Sequence, residues 1–240
     1  KMKDRIKRDL MDLMRIPGLS GHEDRVRRDL RNRLDAIGVE SRSDRLGNLV
    51  AHFPGDGPRV MLFTHMDQLG FIVRKIETDG LIRLERLGGV PERALTAQDV
   101  LICVGKGRDV SGVIANKSHH ATTALEKYQV TPYPDLYVDT GLSSAAEVEA
   151  AGILIGTPVV YAPQAKAFSD DFICGTSVDD RAGCAVLLEV ARLLKNRTGG
   201  PPIDLAFTVL EEFNLRGALP LAQKLLPDIA IQLDLMLATD

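Results

Sequence analysis

The sequence contains no tryptophan, few aromatic residues and only three cysteines. Phe, Trp and Tyr together make up 5% of its 240 residues, so side chains on which single-stranded nucleic acid could stack are scarce. The cysteines, Cys103, Cys174 and Cys184, are odd in number and form no Cys-x-x-Cys pair. This usage argues against a disulfide framework and against a thiolate zinc site, and it fits a reducing cytoplasm.

The sequence also lacks an excess of positive charge and a long apolar run. Its 30 Lys and Arg residues face 33 Asp and Glu residues, for a formal net charge of −3, so no overall positive field would attract nucleic acid. No apolar run approaches the roughly 18 residues that span a bilayer, and the first residues lack the hydrophobic stretch of a signal peptide. We therefore expect a soluble, cytoplasmic protein whose partners include neither nucleic acid nor a membrane.

The order of hydrophobic patterns along the chain predicts an α/β domain with a second domain inserted into it. Residues 1–69 and 162–240 alternate helical periodicity with short apolar runs, which is typical of a parallel sheet with helices on both faces. Residues 70–161 instead contain short β-branched runs separated by Gly-rich turns. This second pattern predicts a small antiparallel, β-barrel-like domain.

Two helices are predicted at the start of the chain. Apolar residues recur at helical spacing up to Met14, and Pro17-Gly18 ends this pattern. Ser20, followed three residues later by Glu23, matches a capping box. The match predicts that the second helix opens at this point and runs to Leu34.

Acidic and imidazole side chains occur where predicted strands end or a helix begins. Because the carboxyl ends of parallel strands meet at one edge of a sheet, we expect these side chains to converge. Carboxylates packed close together raise each other's pKa unless a cation lies among them. Imidazole and carboxylate without thiolate suit Zn, Co or Mn. The residues concerned are His65-x-Asp67, Asp179-Asp180, Glu211-Glu212 and Asp234.

Each of these clusters taken alone also has an ordinary structural explanation. An Asp-Asp pair before a helix serves as an N-cap and a first-turn acid, and a Glu-Glu pair commonly lies in a solvated loop. Their joint occurrence at sheet edges in one chain favours a metal site. Cys174 and Cys184 flank the Asp179-Asp180 pair, and we expect both to be buried packing residues.

Several segments carry a specific resemblance to a known family. Residues 64–71 read Thr-His-Met-Asp-Gln-Leu-Gly-Phe, residues 178–183 read Val-Asp-Asp-Arg-Ala-Gly, and residues 211–218 read Glu-Glu-Phe-Asn-Leu-Arg-Gly-Ala. Together with residues 135–139 and 156–160, they resemble the signatures of the M42 family of metallo-aminopeptidases. The matching segments are spread over nearly the whole chain, in order and with family-like spacing.

The resemblance implies a di-zinc-peptidase-like α/β sheet with an inserted barrel. It also implies an aminopeptidase that hydrolyses the N-terminal peptide bond of peptides, using water activated by two divalent metal ions, Zn or Co. Small cytosolic peptides as substrates, a homo-oligomer and a cis peptide between Asp179 and Asp180 belong to the same expectation. The site residues that it implies are His65, Glu212 and Asp234 as ligands of one metal each, Asp179 as the bridging ligand, Glu211 as the general base, and Asp67 as the residue that orients His65.

The sequence departs from the family in one respect. The family takes a further histidine ligand from a segment downstream of Asp234, and none of the five histidines of this chain matches it. We therefore expect the C-terminal part of the catalytic domain to be absent from this chain. Two alternatives stay open: a related metallo-hydrolase that removes the acyl group from N-acyl amino acids, and a non-catalytic remnant or fragment. A requirement for a free α-amine would separate the aminopeptidase from the deacylase.

Overall fold

The computed structural model describes residues 1–238. The chain folds into two compact units, one formed by Lys1–Gln68 together with the chain from Gln164 onward, the other by Leu69–Pro163. The α-helices are α1 (Met2–Leu13), α2 (Asp24–Ala36), α3 (Ala145–Ala150), α4 (Val178–Leu194) and α5 (Ala218–Leu225). The strands are β1 (Arg42–Ser43), β2 (Leu49–Phe53), β3 (Val60–His65), β4 (Gly70–Ile76), β5 (Ile82–Leu87), β6 (Asp99–Ile102), β7 (Val110–Ala115), β8 (Tyr137–Asp139), β9 (Pro158–Tyr161), β10 (Ala165–Ala167), β11 (Ile173–Gly175), β12 (Ile203–Thr208) and β13 (Ile229–Gln232).

The first unit is built on a five-stranded sheet of order β1-β2-β12-β3-β13. Strand β3 lies at the centre of a parallel trio, because both β12 and β13 pair with it in parallel register. Strands β1 and β2 extend the sheet in antiparallel fashion beyond β12. The carboxyl ends of β12, β3 and β13 therefore lie at the same edge of the sheet.

Helices cover both faces of this sheet, as expected from the sequence. Successive side chains of a strand point to opposite faces, and Leu205 and Phe207 of β12 belong to the core formed with α1, α2 and α4. Ala206, between them, belongs instead to a smaller cluster with Met61 of β3 and Leu221 of α5. The α/β fold class predicted from the sequence is confirmed. Within the part of the chain that the structure describes, none of the helices has the length and apolarity required to cross a membrane.

The predicted start of the second helix is wrong. Helix α2 begins at Asp24, and Glu23 at its N-cap position makes no side-chain capping hydrogen bond. The carboxylate of Glu23 accepts instead from the backbone N–H groups of Gly21 and Leu210. Ser20 lies before the helix, where its backbone N–H donates to the carbonyl oxygen of Gln68. The capping-box pattern is present, but the Glu23 carboxylate binds the backbone N–H of Leu210 instead of capping α2.

The second unit is a closed barrel with strand order β4-β5-β8-β7-β6-β9. Every strand pair around it is antiparallel. Its interior is filled by apolar side chains such as Phe71, Ile82 and Val138, each nearly inaccessible to solvent. The β-barrel predicted from the Gly-punctuated pattern is therefore confirmed. Short 3₁₀ helices at Glu92–Ala94, His119–Ala121, Glu126–Tyr128 and Tyr133–Asp135 lie in its connections.

Candidate metal centre

Three of the predicted ligands come together at the carboxyl edge of the sheet. His65 is the last residue of β3, Asp234 follows β13, and Asp179 lies at the start of α4. One ligand atom from each of these side chains lies within 4.8 Å of the others. His65 Nε2 is 3.1 Å from Asp179 Oδ1. The parallel pairing of β13 with β3 explains why residues so distant in sequence meet here.

Asp67 holds His65 from the opposite side of the imidazole ring. Nδ1 of His65 lies 3.1 Å from the backbone carbonyl oxygen of Asp67 and 3.4 Å from its carboxylate oxygen Oδ1. Both side chains are buried, with exposed fractions of 2% and 0%. An N–H at Nδ1 fixes the ring so that Nε2 faces Asp179, which is the arrangement typical of a metal-binding histidine.

Glu211 and Glu212 are held beside this cluster by the same aspartate. Their backbone N–H groups donate to Oδ1 and Oδ2 of Asp67 at 3.0 and 3.1 Å. Oε2 of Glu211 lies 3.8 Å from His65 Nε2. Glu212 is half-buried next to it but lies outside the group of three side chains at ligand distance. The structure thus brings together His65, Asp179, Asp234 and the carboxylate of Glu211, and it leaves Glu212 adjacent to them.

The start of α4 is fixed by the buried side chain of Asp180. Its carboxylate accepts hydrogen bonds from the Thr64 hydroxyl and, at 2.9 Å, from the backbone N–H of Gly183. The peptide bond between Asp179 and Asp180 is cis. Asp180 is buried, whereas Asp179 is exposed at the sheet edge.

Burial, hydrogen bonds and neighbouring charges raise several pKa values at this site. Burial acts to lower the pKa of His65, but hydrogen bonds with Asp179 and Asp67 outweigh it and raise that pKa to about 11. Burial, reinforced by the negative charges of Asp179 and Asp67, raises the pKa of Glu212 to about 7. Burial likewise raises the pKa of Glu211. Without a cation the site thus retains protons that isolated side chains would release near neutral pH.

The residues present fit a divalent metal ion. One imidazole nitrogen and several carboxylate oxygens are donors that suit Zn or Co. A cation among them would offset the repulsion between the negative charges. The thiol of Cys184 is not a competing ligand, because it is buried and donates to the backbone oxygen of His65 at 3.3 Å. Cys174 is exposed on β11, so the prediction that it packs in the core is wrong.

Comparisons with known proteins identify the family of this chain. The family model described as M42 glutamyl aminopeptidase matches residues 47–240. The chain belongs to the M42 family. The resemblance seen in the sequence motifs is therefore confirmed. Lysyl aminopeptidase of Pyrococcus furiosus is 33% identical over 227 residues, which cover 94% of this chain and 65% of that enzyme.

Solved structures of TET peptidases superpose closely on this chain. A TET aminopeptidase from a marine sediment Thaumarchaeota archaeon matches with a TM-score of 0.91 and 30% identity, covering 99% of this chain and 67% of its own. The TET1 peptidase of Pyrococcus horikoshii is described as assembling into a tetrahedron or a large octahedral shell. It matches with a TM-score of 0.90 and 27% identity, covering 98% of this chain and 70% of its own. This M42 chain spans less than two thirds of the length of the Pyrococcus furiosus relative.

The sequence patterns did not identify two residues that bind the segment leading to Glu211 and Glu212. Glu23 accepts from the backbone N–H of Leu210, and Asn48 accepts from that of Val209. Both are buried polar residues. The one available signal was the Ser20-x-x-Glu23 pattern, which local reasoning assigned to helix capping; nothing local marks Asn48.

The pKa shifts predict how the stability of this M42 chain depends on pH. In the folded state the pKa of Glu212 is about 7, against an ordinary value of 4.5, and that of Asp180 is about 6, against 3.8. The pKa of His65 is about 11, against an ordinary value of 6.5. At these three groups the folded chain therefore binds more protons than the unfolded chain does. Since stability falls with rising pH wherever this holds, the metal-free protein should become less stable from roughly pH 5 to 8.

Urea unfolding in chelator, followed across this pH range, checks the prediction. Saturating Zn²⁺ should reduce the decline, because the ion replaces the protons as the counter-charge of the carboxylates. A midpoint that stays level or rises with pH in chelator would show that these groups titrate normally in the folded chain.

Proposed function

We propose that this chain is a metal-dependent aminopeptidase that hydrolyses the N-terminal peptide bond of peptides. The observation that supports the proposal best is the convergence of His65, Asp179 and Asp234 on one point, with the carboxylate of Glu211 beside them. Membership of the M42 family and the name of the lysyl aminopeptidase relative support the same activity. No observation favours the deacylase alternative.

Two divalent ions, Zn or Co, are proposed to bind at this edge. His65 and Asp234 would each hold one of the two, Asp179 would bridge them, and Glu212 would complete the set available in this chain. When bound, such ions polarise the scissile carbonyl and lower the pKa of a nearby water molecule. Asp67 would keep His65 Nε2 directed toward the metal through its contacts with Nδ1.

Glu211 is proposed as the general base. Its carboxylate would accept a proton from the attacking water and donate that proton to the departing amine as the peptide C–N bond breaks. Burial raises the pKa of Glu211, and a carboxylate with a raised pKa is better matched to proton transfer near neutral pH. The backbone N–H of Glu211, bound to Asp67, anchors the residue that carries this carboxylate.

We further propose a homo-oligomeric, cytoplasmic protein with peptides as substrates. Support for assembly comes from the TET1 peptidase, which is described as forming a tetrahedron or an octahedral shell and shares 27% identity with this chain. The proposal includes neither nucleic acid nor a membrane as a partner, and the net charge of −3 gives no overall attraction for nucleic acid.

Metal stoichiometry tests the proposal directly. Untagged protein stripped with chelator, reloaded with Zn²⁺ or Co²⁺ and dialysed should retain about two ions per chain, as in other two-metal hydrolases. Asp179→Ala should lose them, whereas Asp170→Ala, which removes another exposed aspartate, should retain them. One retained ion would overturn the two-metal mechanism, and none would overturn the metal dependence.

A second measurement separates the aminopeptidase from its alternatives. The loaded protein should release p-nitroaniline from an aminoacyl p-nitroanilide with a free α-amine and leave the N-acetylated compound intact. Preference for the acetylated compound would indicate a deacylase. Absence of hydrolysis by fully loaded protein would indicate a non-catalytic chain.

A further inference from the structure

The loop that carries Glu211 and Glu212 is held by side chains rather than by the sheet. Strand β12 ends at Thr208, so the N–H groups that follow need other partners. Four consecutive N–H groups find them in three side chains distant in sequence. The bonds are Val209 to Asn48 Oδ1 at 3.0 Å, Leu210 to Glu23 Oε1 at 3.1 Å, Glu211 to Asp67 Oδ1 at 3.0 Å and Glu212 to Asp67 Oδ2 at 3.1 Å. We call residues 209–212 the base loop.

Glu23 connects the base loop to the segment before α2. The same oxygen, Oε1, accepts from Leu210 at 3.1 Å and from Gly21 at 2.7 Å. The side chain is only 4% exposed, so it does not face a substrate. Leu210 has a φ of 56°, a left-handed conformation that a leucine keeps only where its surroundings hold it. Glu23 supplies a contact that holds it.

Asn48 connects the two ends of the segment between β12 and α5. Its Oδ1 accepts from Val209, and its Nδ2 donates to the carbonyl oxygen of Gly217 at 3.1 Å and to Asp44 Oδ2 at 2.7 Å. The side chain is completely buried. A Cβ atom at position 217 would lie 2.7 Å from Asn48 Oδ1. Gly217 therefore lies so close to Asn48 that a side chain at position 217 would displace the Asn48 side chain.

We propose that Glu23 and Asn48 are positioning residues of the metal centre, which together with Asp67 fix the backbone from which Glu211 and Glu212 project. This inference rests on the proposed function, because it assigns a purpose to the base loop. A displacement of about 1 Å in a catalytic group can cost on the order of 100-fold in rate. A loop whose N–H groups all bind buried, rigidly packed acceptors restricts such displacement.

Amide hydrogen exchange and Co²⁺ binding on the full chain test the proposal. Glu23→Ala and Asn48→Ala should each speed exchange in the peptide containing residues 209–212 and weaken Co²⁺ binding by about tenfold, the effect of losing one buried hydrogen bond. Glu23→Gln retains an acceptor oxygen, so it should restore most of the slow exchange at residues 209–212 and most of the Co²⁺ affinity. In the assay with a free α-amine substrate, the alanine variants should lower kcat and change KM little.

Glu147→Ala is the control for the alanine variants, because it also removes a carboxylate that accepts a backbone N–H, that of Ser143 at 2.8 Å, but in the barrel unit. It should leave the base loop, Co²⁺ binding and kcat unchanged. Uniformly faster exchange over the whole first unit, or faster loop exchange with unaltered Co²⁺ binding and kcat, would assign Glu23 and Asn48 a merely structural role and overturn the proposal.

The two proposals fail in distinguishable ways. If the unmodified chain neither binds Co²⁺ nor cleaves the substrate, the proposed function fails, and exchange at residues 209–212 in the variants still decides whether the two side chains hold the loop. If the unmodified chain is active and the alanine variants match it in every readout, only the positioning proposal fails.

Discussion

Replacing Glu211 with glutamine is expected to lower kcat for hydrolysis of an aminoacyl p-nitroanilide by about 10²- to 10⁴-fold, the range for loss of a general acid–base group. The amide has nearly the same shape but cannot accept the proton of the attacking water. The backbone N–H of residue 211 would still bind Asp67, so the loop should keep its conformation. KM and the amount of bound metal should therefore stay close to those of the unmodified protein.

Glu212→Gln is the natural comparison, because the two glutamates are neighbours with different proposed roles. A variant that loses a proposed metal ligand should lose bound metal, and its activity should recover in part when excess Co²⁺ is added. The Glu211→Gln variant should not respond to added metal. Retention of near-normal kcat by Glu211→Gln, or loss of its metal, would remove Glu211 from the role of general base.

Much of the fold was predictable because it follows from local patterns. The alternation of helices and apolar strands after residue 163 predicted a parallel sheet, and β12 and β13 do pair in parallel with β3. The Gly-rich turns between short strands predicted the barrel. The rule that parallel strands end at one edge then placed His65 and Asp234 together. In each case the pattern that allows the prediction lies within a short stretch of consecutive residues.

Contacts between distant segments were not predictable in this way. The residues around Glu23 match a helix cap, so local patterns assign its side chain to that role. Only the folded chain shows that it accepts a hydrogen bond from the backbone N–H of Leu210, 187 residues away. Strand β12 ends at Thr208, although the apolar run continues through Val209 and Leu210. The N–H groups of Val209 and Leu210 bind Asn48 and Glu23 instead of a neighbouring strand. The part of the site that holds the proposed base in place is therefore tertiary in origin.

Replacing Gly183 with alanine should destabilise the protein by about 3 kcal/mol or more, although alanine is the better helix former by about 1 kcal/mol. A Cβ atom at this position in α4 would lie 2.8 Å from Asp180 Oδ1 and closer still to its Oδ2 and to the Thr64 hydroxyl. All of these groups are buried. Relieving the contact requires Asp180 to move away from Thr64 and from the N–H of residue 183, so buried hydrogen bonds are lost as well.

Urea unfolding measures the loss, and Gly89→Ala is its control. Gly89 has no positive φ, and a Cβ there would meet no atom within 4 Å, so this variant should stay within about 0.5 kcal/mol of the unmodified protein. Because Asp180 adjoins Asp179, the Gly183 variant should also bind Zn²⁺ more weakly even where it is fully folded. Unchanged stability of Gly183→Ala would mean that α4 can shift freely at its start, and Asp179 would then have no rigid support from the helix that carries it.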